Sequence, residues 1–278
     1  MRVGGSKWRA MNLLPRFSLV KIQRAMRKVF LAAALLALAA PMLAGAREEV
    51  FEKTYSMDGI SRISIENVNG HIEATASDKP VFKVRAVKKA TGGRAEETLR
   101  LTEIRVTKVG DEIRVETVNP KRRRLFGFLD FGGSNADVDY TVQIPARTEV
   151  RFETCNGKVL ASGFLGTLSG DAVNGSIELA NVEGPTSAST VNGSVRLTFR
   201  GPFKKSRVET VNGSIDIAFD KASAISYDLE TVNGKIEGDF ALAVEGKFGP
   251  KEARGKLNGG GEPLRCETVN GTIRLLAN

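Results

Sequence analysis

The sequence has few residues of the types that build catalytic and metal sites. Its 278 residues include a single histidine and two cysteines. Two cysteines are too few for a disulfide framework, and one histidine leaves no ligand set typical of zinc or iron. No GxSxG, HExxH, P-loop or CxxC motif occurs. We therefore expect a protein that is not an enzyme, with no catalytic, cofactor-binding or metal-binding residues and no cofactor.

Long apolar runs are also missing. The main one, "VFLAAALLALAA" at 29–40, is shorter than the about 20 residues that a membrane span needs. Basic residues precede it and the small residues "AGA" follow it, which predicts a signal helix and a secretory signal peptide, residues 1–46, cut after Ala46. Because the segment from Met26 is by itself a complete signal peptide, Met26 is a candidate for the true start. No cysteine follows the run, so we expect a periplasmic or extracellular protein that is not lipid-anchored.

The basic character of the chain comes from this leader. The first 46 residues contain eight of the 41 basic residues and none of the 32 acidic ones, so the remainder has 33 and 32. A basic protein would have suggested nucleic acid or an anionic surface as its partner. The near-neutral exported part excludes nucleic-acid binding from our expectations.

A short phrase around Asn-Gly recurs along the chain, for example "VETVNGSIDI" at 208–217 and "CETVNGTIRL" at 266–275. The copy at Asn119 is degenerate because Pro120 replaces the glycine. From Asn156 onward the intervals are 18, 18, 20, 21 and 37 residues, and the last is about two periods, as if one coil had lost the motif. The structural repeat asparagines are Asn69, Asn156, Asn174, Asn192, Asn212, Asn233 and Asn270.

Each column of the repeat has a physical meaning. Apolar residues dominate four positions before the asparagine, valine stands directly before it, and isoleucine or valine stands three after it. Runs such as "SVRLT" alternate apolar and polar residues, as half-buried strands do. Asn-Gly accepts positive φ and therefore predicts a sharp corner. The phrase reads as strand, corner, strand, with one side inward.

Two architectures fit this phrase. Each Asn-Gly is either a hairpin turn in a meander or a corner between strands that stack in parallel on those of the next repeat. Uniform columns favour stacking, since it places identical residues above one another and lets asparagines hydrogen-bond as a ladder. We predict an all-β, parallel β-helix-like solenoid with rungs of 18–21 residues in a single domain over 47–278. Residues 47–150 form a less regular N-terminal β cap and 151–278 the regular repeats.

Four stretches together resemble a known family. They are the start "ISRISIENVNGHIEA", the strand pair "VDYTVQIPARTEVRFET", the repeated "TVNGSI", and the close "GKLNGGGEPLRCETVNGTIRL". Their order is similar to that of the DUF4097 family of bacterial envelope proteins, described as adhesins with β-strand repeats. The resemblance covers essentially the whole exported chain. It implies a β-solenoid fold and a location outside the cytoplasm, and it brings no catalytic residues.

The column three residues before the asparagine is the main candidate for a distributed site. Stacked carboxylates repel by about 1 kcal/mol per pair in water. The column therefore predicts either a track for cations or a solvated outer face, with Arg196 and Arg274 as local partners. We favour the solvated face, which single-sign rows more often form. Its members are Glu66, Glu116, Glu153, Asp171, Ser189, Glu209, Glu230 and Glu267.

The histidine and the cysteines fit structural roles better than chemical ones. His71 stands in a column that otherwise contains lysine, serine or threonine, which indicates a surface residue. Cys155 replaces valine and Cys266 stands in a mainly apolar column, so we predict that both are buried. They lie several repeats apart, beyond the reach of a disulfide, and we expect free thiols.

The segment "NPKRRRLFGFLDFGGSNA", residues 119–136, lies outside the repeat pattern. Basic residues beside aromatic ones are typical of a loop that contacts an anionic membrane surface or docks onto a partner. The same aromatic residues would also serve as a buried plug for an open end of the solenoid, the interpretation that we favour. The residues of this candidate interaction loop are Lys121, Arg122, Arg123, Arg124, Phe126, Phe128 and Phe131.

Function on a repeat scaffold lies in its exposed faces and loops. We expect a non-enzymatic secreted or periplasmic β-solenoid with a cell-envelope interaction or adhesin-like role, and an envelope component, a glycan or a protein as partner. Contact with a membrane surface would occur through 121–131. Two alternatives stay open at this point: a carbohydrate-active enzyme on a β-helix, and a purely structural module that self-associates.

Overall fold

The computed structural model describes residues 46–118, 136–246 and 249–278. In these ranges the chain forms one short helix, α1 (Ala95–Leu101), and many strands. The strands are β1 (Ala46–Ser56), β2 (Arg62–Asn69), β3 (Ile72–Ser77), β4 (Val81–Thr91), β5 (Glu103–Val109), β6 (Glu112–Val118), β7 (Asp137–Pro145), β8 (Glu149–Asn156), β9 (Val159–Ser162), β10 (Leu168–Asn174), β11 (Ile177–Val182), β12 (Thr186–Asn192), β13 (Val195–Phe199), β14 (Ser206–Asn212), β15 (Ile215–Phe219), β16 (Ile225–Asn233), β17 (Ile236–Gly238), β18 (Val244–Glu245), β19 (Lys251–Leu257), β20 (Glu262–Asn270) and β21 (Ile273–Ala277). The all-β class predicted from the sequence is confirmed.

The strands form two large sheets. The ten-stranded sheet has the order β1-β4-β7-β3-β9-β11-β13-β15-β21-β17, and the eleven-stranded sheet has the order β18-β19-β16-β20-β14-β12-β10-β8-β2-β6-β5. Each Asn-Gly copy joins a strand of the eleven-stranded sheet to a strand of the ten-stranded sheet. Equivalent strands pair in parallel and in register, as Asn174 does with Asn192. The structure is therefore β-solenoid-like, as the stacking interpretation predicts.

The core lies between the two sheets. Residues four positions before the asparagine, such as Phe152 and Val208, and three positions after it, such as Ile177, are fully buried. Alternation along a strand places every second residue inward, so the threonine two positions before the asparagine also points into the core. Thr190 and Thr210 are buried, and Thr210 Oγ1 donates to the Gly193 carbonyl oxygen at 2.9 Å. The valine column thus faces outward.

The corner glycines are needed mainly for close approach rather than for positive φ. Only Gly70 and Gly157 among the seven have positive φ, which corrects the reason inferred from the sequence. A Cβ at Gly175 would lie 1.7 Å from the Gly157 carbonyl oxygen, and one at Gly213 would lie 1.9 Å from that of Gly193. No side chain fits at such distances, so every stacked corner requires glycine.

The repeats do not stack in chain order at either end. The last repeat, β20 with β21, lies between the repeat of β14 with β15 and the repeat of β16 with β17. The 37-residue interval is therefore not a coil that lost its motif. It contains the antiparallel strands β18 and β19, and the chain then returns across β16. Likewise β2 lies between β6 and β8, so the first repeat belongs to the regular array.

The N-terminal part adds antiparallel strands to both sheets. β1 pairs with β4 and β4 with β7, while β5 and β6 form a hairpin. The helix α1, which the repeat pattern does not predict, packs beside β4 and β1. Lys88 joins these elements because its buried Nζ lies 2.8 Å from Glu49 Oε1 and donates to the Leu99 and Thr102 carbonyl oxygens at 3.1 and 3.0 Å.

We predict that Gly175→Ala destabilises the protein by about 3 kcal/mol or more, because the new methyl group meets a backbone carbonyl of the next repeat. Urea unfolding monitored by circular dichroism measures the change. Gly93→Ala is the control, since a Cβ there meets nothing within 4 Å. A small effect at Gly175, similar to that at Gly93, would contradict the corner geometry.

Candidate functional site

The outer face of the eleven-stranded sheet carries four parallel rows of side chains. Each of the seven strands that end at a repeat asparagine contributes that asparagine and the residues one, three and five positions before it, and β6 contributes Val118, Glu116 and Arg114. We call these the asparagine row, the valine row, the acidic row and the arginine row, the last being arginine at four of its eight positions (Arg114, Arg151, Arg207 and Arg265) and serine or aspartate at the others. The in-register pairing of the strands aligns each row across the sheet. This regular, exposed surface is the candidate functional site.

The asparagine row is a continuous hydrogen-bond ladder. Each side-chain amide donates from Nδ2 to Oδ1 of the next asparagine, over 2.7–2.9 Å, and the bonds cross the reordered repeats without interruption. Asn270 donates to Asn212 and Asn233 donates to Asn270. In spatial order the row is Asn69, Asn156, Asn174, Asn192, Asn212, Asn270 and Asn233.

The valine row is an apolar stripe on the outside of the sheet. Its members are half-buried or exposed, and Val232 is 41% exposed. Cys155 is one of them and is exposed. The predicted burial of Cys155 is therefore wrong, because the alternation of side chains along β8 places this position on the outer face of the sheet. Cys266 is buried, and both thiols are free. In spatial order the row is Val118, Val68, Cys155, Val173, Val191, Val211, Val269 and Val232.

The acidic row is held by arginines two positions away on the same or neighbouring strands. Arg207 contacts Glu209 on its own strand and Glu267 on the next, and Arg151 donates to Asp171 on the neighbouring strand at 3.0 Å. Arg196 and Arg274, the partners expected from the sequence, instead pair with Asp216 on the other sheet. Because most of these carboxylates have cationic partners, the row is largely a face of ion pairs, and the members that are paired are Glu153, Asp171, Glu209, Glu230 and Glu267.

The only compact carboxylate cluster of metal-site geometry within the described ranges is Asp228, Glu230 and Glu252. Arg254 pairs with all three carboxylates, with Nε 2.9 Å from Asp228 Oδ1, a terminal nitrogen 2.8 Å from Glu230 Oε1 and a further contact to Glu252. The guanidinium supplies the positive charge that a cation would bring. This cluster is accounted for as an ion pair network.

Glu66 is the electrostatic exception in the acidic row. It lies between Glu116 and Glu153 on adjacent strands. Burial, and then repulsion from Glu153 and Glu116, raise its pKa to about 7, while Arg114 and Arg151 act in the opposite direction. The carboxyl group is therefore partly protonated near neutral pH.

The other residues singled out in the sequence lie apart from these rows. His71 is exposed at the first corner, where its Nδ1 accepts a hydrogen bond from the backbone N–H of Lys158 at 3.0 Å. The loop from Lys121 to Phe131 lies outside the described residues. We did not predict the outward valine row from the sequence. The signal was present, because the valine stands three residues after the buried position of each strand and side chains alternate between the two faces.

The repeats stack in register and their strands form two sheets. This arrangement defines an all-β, β-solenoid-like protein. The model of the family described as Toastrack DUF4097 matches residues 61–276. The chain therefore belongs to this family, which confirms the resemblance seen in the sequence. No curated protein matches the chain at the sequence level.

Several solved structures are similar. A "putative cell adhesion protein" from Clostridium sporogenes shares 12% identity at a TM-score of 0.50 and covers 84% of this chain and 100% of its own. A "putative adhesin" from Bacteroides fragilis shares 13% at 0.38 and covers 82% and 97%. A "putative lipid binding protein" from Parabacteroides distasonis shares 12% at 0.30 and covers 82% and 96%. At these identities the first likeness shows the fold alone, and the other two carry no argument.

None of the helices in the described part of the chain has the length and apolar character to cross a membrane.

We predict that Asn192→Ala lowers the free energy of unfolding about twice as much as Asn233→Ala. Asn192 donates to Asn174 and accepts from Asn212, whereas Asn233 makes a single ladder bond, to Asn270. At roughly 0.5–1.5 kcal/mol per net hydrogen bond, the interior loss is about 1–3 kcal/mol. Urea titration of both variants measures it, and equal losses would argue against the ladder as a stabilising interaction.

We predict that Glu66→Gln stabilises the protein at pH 8 but not at pH 4. The raised pKa of Glu66 means that folding favours its protonated form, so its contribution is fully present below about 4.5 and is lost as the pH rises through about 7. Glutamine removes the charge that becomes unfavourable above that pH. Urea unfolding at both pH values measures the gain.

The matched control for this experiment is Glu209→Gln, which removes a carboxylate paired with Arg207. We expect no gain in stability at pH 8 from this variant. A gain from Glu66→Gln that persists unchanged at pH 4 would show that packing, rather than charge, is responsible.

Proposed function

We propose that this protein is a non-enzymatic, exported scaffold that binds a component of the cell envelope through the outer face of its eleven-stranded sheet. The observation that carries the proposal is the valine row, an apolar stripe of half-buried and exposed side chains on the outside of the sheet. Exposed contiguous apolar surface rimmed by polar groups is typical of interaction sites.

The dimensions and rigidity of this face suit an extended or flat partner. Eight adjacent strands at about 4.8 Å spacing give a stripe roughly 34 Å long. The asparagine ladder borders it on one side and the acidic row on the other, so amide and carboxylate groups are available for hydrogen bonds along its length. Because ladder bonds and ion pairs already hold these side chains, binding would order few of them, which reduces its entropic cost.

The paired carboxylates support a binding role rather than hydrolysis. General acid–base chemistry needs carboxyl groups that are free to exchange protons with a substrate, whereas Arg207 and Arg254 engage their acidic neighbours. The adhesion named for the Clostridium sporogenes protein agrees with a surface role for this chain as well. An envelope protein or glycan is the class of partner that we propose.

The segment from Lys121 to Phe131 is proposed as a second contact, on the chemistry of its sequence. Four consecutive basic residues beside phenylalanines favour an anionic surface. This contact would add to that of the valine row and would depend on salt concentration, because charge attraction is screened.

The test is co-sedimentation of the exported protein with envelope fractions of its host. The double variant V191K/V211K places two charges in the valine row. We predict that most of this variant stays in the supernatant, whereas the wild type pellets. The control T198K/A218K places the same charges at half-buried positions on the outer face of the ten-stranded sheet and is expected to pellet like the wild type.

Deletion of 121–131 forms a separate arm of the experiment. If this deletion alone abolishes pelleting, the loop and not the valine row is the binding element. If the wild-type protein does not pellet at all, the proposed interaction with the host's own envelope is wrong.

A further inference from the structure

The two ends of the solenoid finish differently. At one end the outermost strands are β17, with three residues, and β18, with two. At the other end they are β1, with eleven residues, and β5, with seven. Short edge strands are a common protection against pairing with other chains, whereas a long edge offers a row of backbone donors and acceptors. No strand of the described chain pairs with the outer edge of β1.

Apolar surface accompanies this open edge. Beyond the first repeat the ten-stranded sheet continues with three strands, β7, β4 and β1, but the eleven-stranded sheet continues with two, β6 and β5. The inner side of β1 therefore has less cover from the opposite sheet. Phe51 and Tyr55 pack against the core there and are only partly buried. A partner at this edge would cover them.

The sequence of β1 is complementary to itself when two copies run antiparallel about Phe51. In this register Arg47 faces Tyr55 of the second copy, so the strand is paired over nearly all the length that the exported chain retains. Glu49 then faces Lys53, and by symmetry this opposite-charge pair occurs twice. Glu49 Oε1 lies 2.8 Å from Lys88 Nζ, which leaves its other oxygen for Lys53.

The neighbouring symmetric registers lack this match. In a symmetric antiparallel pair the two-fold axis is normal to the sheet and each copy keeps its inner face on the same side. The pair is then centred on a residue, and moving the centre by one residue changes the partner of each residue by two. Centred on Val50, Arg47 would face Lys53 and Glu48 would face Glu52. Centred on Glu49 or on Glu52, a glutamate would face its own copy. Like charges directly opposite one another destabilise a strand pair, so one register is selected.

We propose that two copies of this chain form a symmetric dimer in which the outer edges of β1 pair antiparallel, centred on Phe51. The pairing joins the two ten-stranded sheets into one continuous sheet and covers Phe51 and Tyr55. An isologous contact of this kind closes on itself and does not propagate into a filament. The valine rows of both copies remain accessible, so the dimer would present two copies of the proposed binding face.

Light scattering coupled to size-exclusion chromatography tests the dimer on the exported protein over a wide range of concentrations. The wild type is expected at twice the mass of the chain. K53E places a carboxylate opposite Glu49 twice, and we expect the dissociation constant to rise by about tenfold or more. K83E is the matched control, an exposed lysine on the adjacent strand β4, and is expected to leave the dimer unchanged.

Disulfide trapping tests the register. Directly opposite residues have Cβ atoms about 4.5–5.5 Å apart, within a small movement of the roughly 3.5–4.5 Å that a disulfide requires, so F51C in a C155S background is expected to cross-link to its own copy. T54C in the same background faces Glu48 and is expected to remain uncross-linked. A wild-type chain that stays monomeric, a K53E variant that stays dimeric, or T54C cross-linking as readily as F51C would each overturn the proposal.

Discussion

The close approach of backbones at the Asn-Gly corners is the constraint on which this structure depends. A carbonyl oxygen of one corner lies where a Cβ of the next would be, as at Gly157 and Gly175. Only glycine permits this spacing, and the spacing in turn holds neighbouring strands in register. The asparagine ladder and the inward threonine hydroxyls, such as that of Thr210, then reach their acceptors in the adjacent repeat.

Register fixes the composition of each face. Because the strands are stacked without offset, the residue at a given position of the repeat forms a straight row, whether of asparagine, valine or carboxylate. A row of one chemical type becomes a surface with directional character, which a single strand does not provide. The carboxylates are tolerated because arginines such as Arg207 bridge neighbouring strands. Glu66 departs from this arrangement because it is partly buried and its strand has Ser64 at the position where Arg207 stands in its own strand.

The ends of the solenoid are constructed by reordering the chain. Both the first repeat and the last lie inside the stack, between repeats that follow or precede them in sequence. The first and last repeats in the sequence therefore have partners on both sides, and the outermost strands are β17 and β18 at one end and β1 and β5 at the other. Edge strands in these positions differ in length, and this difference, rather than any single residue, distinguishes the two ends of the molecule.

The sequence by itself determined the class of fold, the seven corners and the inward columns four before and three after each asparagine, because these depend on local alternation and on the spacing of identical motifs. The strand "VFKVRAVKKA" and the pair around Gly110 were also readable, as β4 and as β5 with β6. The direction of the valine column was misread, since its apolar character suggested burial while its parity places it outside.

Only the tertiary structure decided the order of the repeats and the partners of the charges. Every repeat has nearly the same edge, so the sequence does not specify that β20 pairs with β14 rather than with β19. That choice follows from how the 37-residue excursion returns across β16. The same holds for Arg196, whose partner Asp216 lies on the adjacent strand of the ten-stranded sheet and not in the acidic row. Local pattern fixes which way a residue points, but the non-local pairing of strands fixes what it meets.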